Sequence, residues 1–449
     1  MTIEGDQIIW DIEEQHLDEA EFLFEIREAA LDAPHYTLAD LAQKTERRLR
    51  ANIDGLAYAG PMAAEELLTP VLRDPHASME RVAAAALARF VGDFGDPWGE
   101  VLAALDESDR ADAQHDGVIA ALRMRDDAEL EARVVGSIQT HESAGVATRL
   151  EILADRNIPT GEWLLHMLGS ADARVVRAAA RLARHTVAVS VLDAVGRLAD
   201  SSDARIREAV LSTALVRGLS GAWEVATYTG LRAPDESRLV RRAASTWIAQ
   251  FGDASVVDAL TADLNAEHSR ADRIWALGFS GWPAAVDHCV ALLEDPEVGR
   301  LAAEAICAVT GLSRDEESAW RIKPARDDEL PQLHQDNLNA DLVPTAEDKL
   351  PWPDPGTIAL WWASRRAGFH PQTRYLGGRP MDGSCVLDAL TSGPLRRRHA
   401  LAFELAVRSG GSAWLDTRAA AARQRLQLGR LATVINEIDF QRGRPLPRP

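Results

Sequence analysis

The feature that most constrains this fold is the stretch 172–185, DARVVRAAARLARH. Wound at 3.6 residues per turn, it puts Val175, Val176, Ala179, Leu182 and Ala183 on one side and Arg174, Arg177, Arg181 and Arg184 on the other. The same signature, an acidic or turn residue followed by arginines and an alanine-rich apolar run, returns at 74–87, 203–214, 239–247, 273–278 and 295–306. Taking Met79, Val175, Ile206, Val240, Ile274 and Val298 as equivalent positions, the separations are 96, 31, 34, 34 and 24 residues. The first separation holds three periods, so two weakly written repeats are expected between Pro97 and Thr160, with 118–122 and 146–153 as their second helices. The short last step implies a clipped repeat or a shifted register. Ahead of several anchors runs another apolar-periodic segment, as at 161–168, 189–198, 256–264 and 283–293. Each unit therefore reads as a helix, a turn at Asp or Asp-Pro, and a second helix. A recurrence of this length is the mark of an all-α repeat array, in which no helix pair buries its apolar face alone.

The two ends of the chain depart from that pattern. Residues 1–35 carry eleven acidic residues and a single base, Arg27, half of the chain's net charge of -20. Apolar residues from Ile8 to Leu31 still recur at helical spacing, so 7–31 is expected to be an amphipathic helix with an acidic outer face. The Ala33-Pro34 step ends it. Thr37 and Asp40 then resemble a capping box for a second helix running to Gly60. Segment 1–60 thus reads as a helical hairpin closing the open end of a repeat array at 61–312. Residues 313–356 hold eleven acidic and five basic residues with six prolines, the composition of an extended connection. A C-terminal helical region follows at 357–440, with helices expected at 357–367, 394–407 and 419–440, and then a basic, proline-rich flexible tail at 441–449.

Composition and motifs exclude more chemistry than they suggest. The acidic balance argues against nucleic acid as a partner, because that affinity rests on neutralising phosphates. No signal peptide and no apolar run of membrane-spanning length is legible, so a cytoplasmic protein without membrane insertion is expected. Cys289, Cys307 and Cys385 lack C-x-x-C spacing and read as free thiols. H-E-x-x-H is absent, and the only His-Glu step is His141-Glu142. His370 and Cys385 share a loop-rich segment but do not make a persuasive nucleophilic pair, since Cys385 opens an apolar helix. Gly377-Gly378 in RYLGGRP is too short a run for a phosphate cradle and reads as a turn. No catalytic residue, cofactor-binding residue or metal ligand is assigned, and no cofactor is expected.

The D-[AP]-x-V-x-R-A-A-A pattern at 172–180, looser at 203–209 and 295–303, resembles HEAT repeats, whose second helices line a concave face. More narrowly, the opening 8–41, RYLGGRP at 374–380 and LDTRAAAARQ at 415–424 resemble a bacterial family of HEAT-like proteins of uncharacterised function, whose members often stand beside type VI secretion components. That resemblance implies a HEAT-like solenoid handling secreted effectors or spike proteins. On it, Arg174, Arg177, Arg181, Arg184, Arg205, Arg238, Arg241 and Arg242 would face the concave side, either gripping an acidic partner segment or pairing in internal ladders with Asp172, Asp203 and Glu208. Trp223 and Trp282 join them as protein-binding candidates, whereas Trp247 and Trp275 read as core. The expected function is a non-catalytic protein-binding scaffold or adaptor, with an immunity or regulatory role differing only in partner. The alternative is an enzyme or cofactor-handling protein similar to the HEAT-repeat bilin lyases. The HEAT-like deoxyhypusine hydroxylases need several His-Glu pairs, which this chain lacks.

Overall fold

The computed structural model describes residues 8–92, 94–106, 112–125, 132, 134–136, 138, 145–262, 264, 267–322 and 345–443. Half of the expected connection at 313–356, the His141-Glu142 step and the end of the basic tail lie outside the described residues. The fold is all-α. The only strands among the described residues are two short antiparallel pairs, Trp320–Arg321 with Trp352–Pro353 and Tyr375–Leu376 with Arg379–Pro380. No helix among them is long and apolar enough to cross a membrane.

In chain order the principal helices are α1 (Trp10–Leu31), α2 (Arg47–Tyr58), α3 (Met79–Val91), α4 (Asp112–Met124), α5 (Gly145–Asp155), α6 (Ala173–Leu182), α7 (Ala204–Arg217), α8 (Arg238–Phe251), α9 (Glu267–Ser280), α10 (Gly299–Thr310), α11 (Pro355–Arg365), α12 (Leu395–Ser409) and α13 (Ala421–Leu431). The expected capping box is present at Thr37 and Asp40, and the run it opens passes through a π-helical stretch, Leu41–Glu46, into α2. Short helices such as Leu164–Leu168, Val189–Gly196, Ser255–Thr261 and Pro283–Val290 precede α6, α7, α9 and α10.

From α3 to α10 the helix starts are separated by 33, 33, 28, 31, 34, 29 and 32 residues. The segments expected as second helices at 118–122 and 146–153 lie within α4 and α5. The 24-residue step was a register error, because Ile274 sits two turns inside α9 whereas Val298 is the N-cap of α10. Asp295 misled because it does not cap the helix: its carboxylate accepts the backbone N–H groups of Glu297 and Val298 at 3.0 and 3.1 Å, and the helix begins only afterwards. Elsewhere the side-chain caps explain the starts. Asp172 accepts from Arg174 N–H, Asp203 from Arg205 and Ile206, Ser78 from Arg81 and Ser237 from Val240.

The chain forms two compact units that do not coincide with the segments read from the sequence. One comprises the described parts of 1–32, 36–222 and 390–433, the other those of 33–35, 223–389 and 434–449. In the first, α1 packs on α2 and α3, and then α3 on α4, α4 on α5, α5 on α6 and α6 on α7. Alanine makes this close packing feasible: Ala83 to Ala86 and Ala178 to Ala180 are all buried. At Gly117 a Cβ would lie 2.5 Å from the Met79 carbonyl oxygen. Helix α12 returns to this unit and packs on α7 and α1.

In the second unit α8 packs on α9 and α9 on α10. RYLGGRP is a capping device there. The N–H groups of Gly377 and Gly378 donate to the Ala308 and Val309 carbonyls at 2.8 and 2.9 Å, closing the end of α10. Arg374, fully buried, donates to the carbonyls of Phe279, Ser280 and Phe440. The helix expected over 419–440 is shorter: α13 stops at Leu431, a 3-10 turn follows at Ile435–Glu437, and the chain passes into the second unit. The β-branched run Thr433-Val434-Ile435 is a poor continuation for a helix, and burial of Ile435 and Phe440 offsets the break.

Candidate functional site

In the first unit charged residues of the C-terminal ends of α4, α5 and α6 come together. Arg123 ends α4, Asp155 ends α5, and Arg181 is followed by Arg184 and His185 in the 3-10 turn that closes α6. Asp155 accepts from Arg123 Nη2 at 2.7 Å and from Arg181 Nη2 at 2.9 Å. Arg181 also pairs with Glu151, which Arg177 contacts at 3.2 Å. Burial alone would raise the Asp155 carboxyl, but Arg123 and Arg181 together hold it below its ordinary range. Burial raises Glu208, against the pull of Arg184 and Arg181. Arg184 is lowered to about 10, by burial and then by the like charge of Arg181. His185 is lowered to about 3 by burial and by Arg184, so it is neutral and its Nε2–H donates to the Ala154 carbonyl at 2.9 Å.

Across these helix ends runs an irregular segment of the same unit, 410–420, between α12 and α13. Gly410 and Gly411, with φ of 62° and 84°, turn the chain out of α12, and Gly411 lies so close to the Arg184 carbonyl that a Cβ would sit 3.3 Å from it. Trp414 donates its indole N–H to the Asp155 carbonyl at 2.9 Å, lies 5.1 Å from the Arg184 guanidinium, and meets the His185 ring edge-on at 5.0 Å. Asp416 is buried, and its carboxyl is raised first by that burial and then by the charge of Asp155.

The first unit also holds the backbone of this segment. Arg217 donates to the Gly410 carbonyl, and Arg27 Nη2 donates to those of Arg418 and Ala419 at 2.7 and 3.2 Å. Glu46 accepts from Ala421 N–H at 2.8 Å and also holds Arg27, while the Arg123 carbonyl accepts from Ala420 N–H. His399 is lowered to about 4 by burial and Arg418, and its two ring nitrogens contact Thr417 Oγ1 and the Leu31 carbonyl.

The candidate arginines divide between the units. Arg174 bonds its own cap, Asp172, and Arg205 meets Asp112 at 3.3 Å with both side chains more than half exposed. Arg177 and Arg181 form the carboxylate ladder, and Arg184 turns to Trp414. In the second unit Arg238 and Arg242 share Asp272, Arg242 also reaches Glu347 and lies over Trp275, and Arg241 holds the carbonyls of Pro234 and Glu236. Trp223 is half-buried at the start of the helix Ala222–Arg232, and Trp282 is buried as the N-cap of Pro283–Val290. Trp247 and Trp275 are core. Burial raises the Cys385 thiol, whose Sγ lies 3.5 Å from the Pro380 carbonyl oxygen. No group of three metal-ligating side chains occurs among the described residues.

Sequence reading missed Arg27, Glu46, Trp414 and Asp416. Arg27 carried a signal, as the lone base among eleven acids. LDTRAAAARQ stood out only as a family likeness.

No family model and no curated protein matches the chain. A solved engineered protein from a structural genomics consortium is similar at 18% identity over 88% of this chain and 100% of that one, with a TM-score of 0.30.

Proposed function

We propose that the protein is a protein-binding scaffold or adaptor, built as a HEAT-like solenoid whose second helices α3 to α7 present the interaction face of the first unit. The observation that carries this reading is the irregular segment 410–420, held by arginine, carboxylate and backbone groups at the helix ends. A surface that satisfies the polar backbone of a non-helical segment has the equipment to hold a peptide of another protein. The partner class implied by the resemblance is a type VI secretion effector or spike component.

The test is recovery of the tagged full chain from its native lysate, read by mass spectrometry against an Arg174→Glu/Arg205→Glu variant. Both arginines are accessible and make only local or exposed pairs, so the fold should survive. One dominant protein recovered with the natural chain and lost with the variant supports the reading. Equal recovery from both counts against this face, and recovery of an unrelated housekeeping enzyme removes the secretion assignment.

A further inference from the structure

The geometry points to a buried anion site in the first unit: Arg398, in the first turn of α12, holds a halide-sized monovalent anion on its two Nη groups at the start of that helix. The site uses none of the candidate arginines, so this inference goes beyond the scaffold reading and does not depend on it.

Among the described residues four arginine side chains are fully buried: Arg27, Arg89, Arg374 and Arg398. Burying a guanidinium is costly unless both its charge and its donors are met. Three of the four have such partners. Arg27 bonds Glu28 and Glu46, Arg89 pairs with Glu65 at 3.2 Å, and Arg374 donates to three backbone carbonyls. Arg398 differs. Its Nε donates to the Leu390 carbonyl at 2.5 Å, and Nη1 and Nη2 have no hydrogen-bond partner among the described residues. No carboxylate offsets its charge: burial alone lowers the guanidinium, to about 10, and it stays charged at neutral pH.

The surroundings of Arg398 add positive potential. Arg396 and Arg397 precede it and are buried with it, and no acidic residue stands in the first turn of α12. The Leu395 N–H donates to the Tyr36 carbonyl at 2.8 Å, so the positive end of the helix lies inside the unit. His399, the next residue, is neutral, and Arg398 adds to the burial and the Arg418 charge that keep it so. Asp32, which favours the charged ring, is itself held by Arg418 at 3.4 Å. A water molecule would meet the Nη donors but not the charge, whereas an anion meets both. Because both Nη atoms are closed to solvent, the occupant has to be about the size of a water molecule and is taken up as the unit folds. It carries one charge, since a second would remain unpaired.

The experiment follows hydrogen exchange of α12 in the full chain by mass spectrometry, with chloride replacing gluconate at constant ionic strength. Raising chloride from about 1 to about 100 mM should slow exchange of the α12 amides at least about tenfold, because the ion binds only the closed state. Arg398→Met, which keeps a long side chain there and removes the charge, should show no such response. Exchange that ignores chloride in the natural chain overturns the inference. An equal response in the folded variant overturns it too, by placing the ion elsewhere. Should Arg398→Met fail to fold, crystals of the natural chain grown with bromide decide. An anomalous peak within hydrogen-bonding reach of the Arg398 Nη atoms supports the site, and its absence overturns it. Recovery of a partner from lysate bears on the scaffold reading alone, so the two fail separately.

Discussion

Single side chains in the first unit act through charges they share with neighbouring helices. Leu182 is fully buried, and Leu182→Ala should cost about 2–5 kcal/mol through lost burial and the cavity left behind. An arginine stripe facing a groove would make Arg181→Ala cost much less. Instead Arg181 bridges the buried carboxylates Glu151 and Asp155. Removing it leaves Glu151 with Arg177 and Asp155 with Arg123, so the loss should be that of charge-assisted hydrogen bonds, about 1.5–3 kcal/mol. Chemical denaturation of both variants checks this, and a loss near zero for Arg181→Ala would show the ladder to be ornamental. The two neutral histidines set a pH dependence. Their folded values, about 3 for His185 and about 4 for His399, lie below the ordinary histidine value of about 6.5. A depressed value means the unfolded chain binds the proton first, so stability is intact above about pH 6.5 and falls as pH drops toward those values. His185→Gln should flatten the melting-temperature profile between about pH 6 and 4 relative to the natural chain. An unchanged slope would locate the sensitivity elsewhere.

Helices were the legible scale. The caps Asp172, Asp203, Ser78 and Ser237 and the alanine-rich anchors state where α3, α6, α7 and α8 begin, because capping and amphipathic burial are local physics. The weak repeats α4 and α5 were recoverable only from the length of the gap, and α10 was misregistered because Asp295 makes a turn that mimics a cap. What could not be read were contacts made at long sequence separation by residues with no local signature. Arg27 to Arg418 is such a pair, and so is Trp414 to Asp155. RYLGGRP shows the same limit: its glycines announce a turn, but their role in closing α10 depends on where the hairpin lands. Gly378 has φ of 79°, and a Cβ there would lie 2.5 Å from the Thr310 carbonyl oxygen. Gly378→Ala should therefore cost about 1–3 kcal/mol and speed hydrogen exchange at the last turn of α10, while exchange in α3 to α6 stays unchanged. Equal acceleration in both places would mean the hairpin's role is not local.

The order of the chain and the composition of its units disagree, and that has a consequence for the whole molecule. The first unit takes its last segment, 390–433, from sequence that follows most of the second unit. Without it Arg27, fully buried and bonded to the Arg418 and Ala419 carbonyls, keeps only Glu28 and Glu46. Glu46 also loses the Ala421 N–H, the Leu31 carbonyl loses His399, and α1 and α7 lose the face that α12 covers. A chain ending at residue 389 therefore keeps every residue of α1 to α7 and should still be markedly less stable there. Several buried polar groups lose partners at once, each at about 1–3 kcal/mol. Hydrogen exchange read by mass spectrometry should show the loss in α1 and at the ends of α4 to α6. Adding residues 390–433 as a separate polypeptide should restore part of the protection, because what they supply is packing and hydrogen bonds and not a covalent link. If α1 and the α4 to α6 ends are equally protected with and without 390–433, the returning segment is an accessory to a first unit already complete. If protection falls and the added piece restores it, α1 to α7 form an incomplete unit that the returning segment finishes, and the contacts of 410–421 with Arg27, Glu46, Arg123 and Arg217 are where that completion happens.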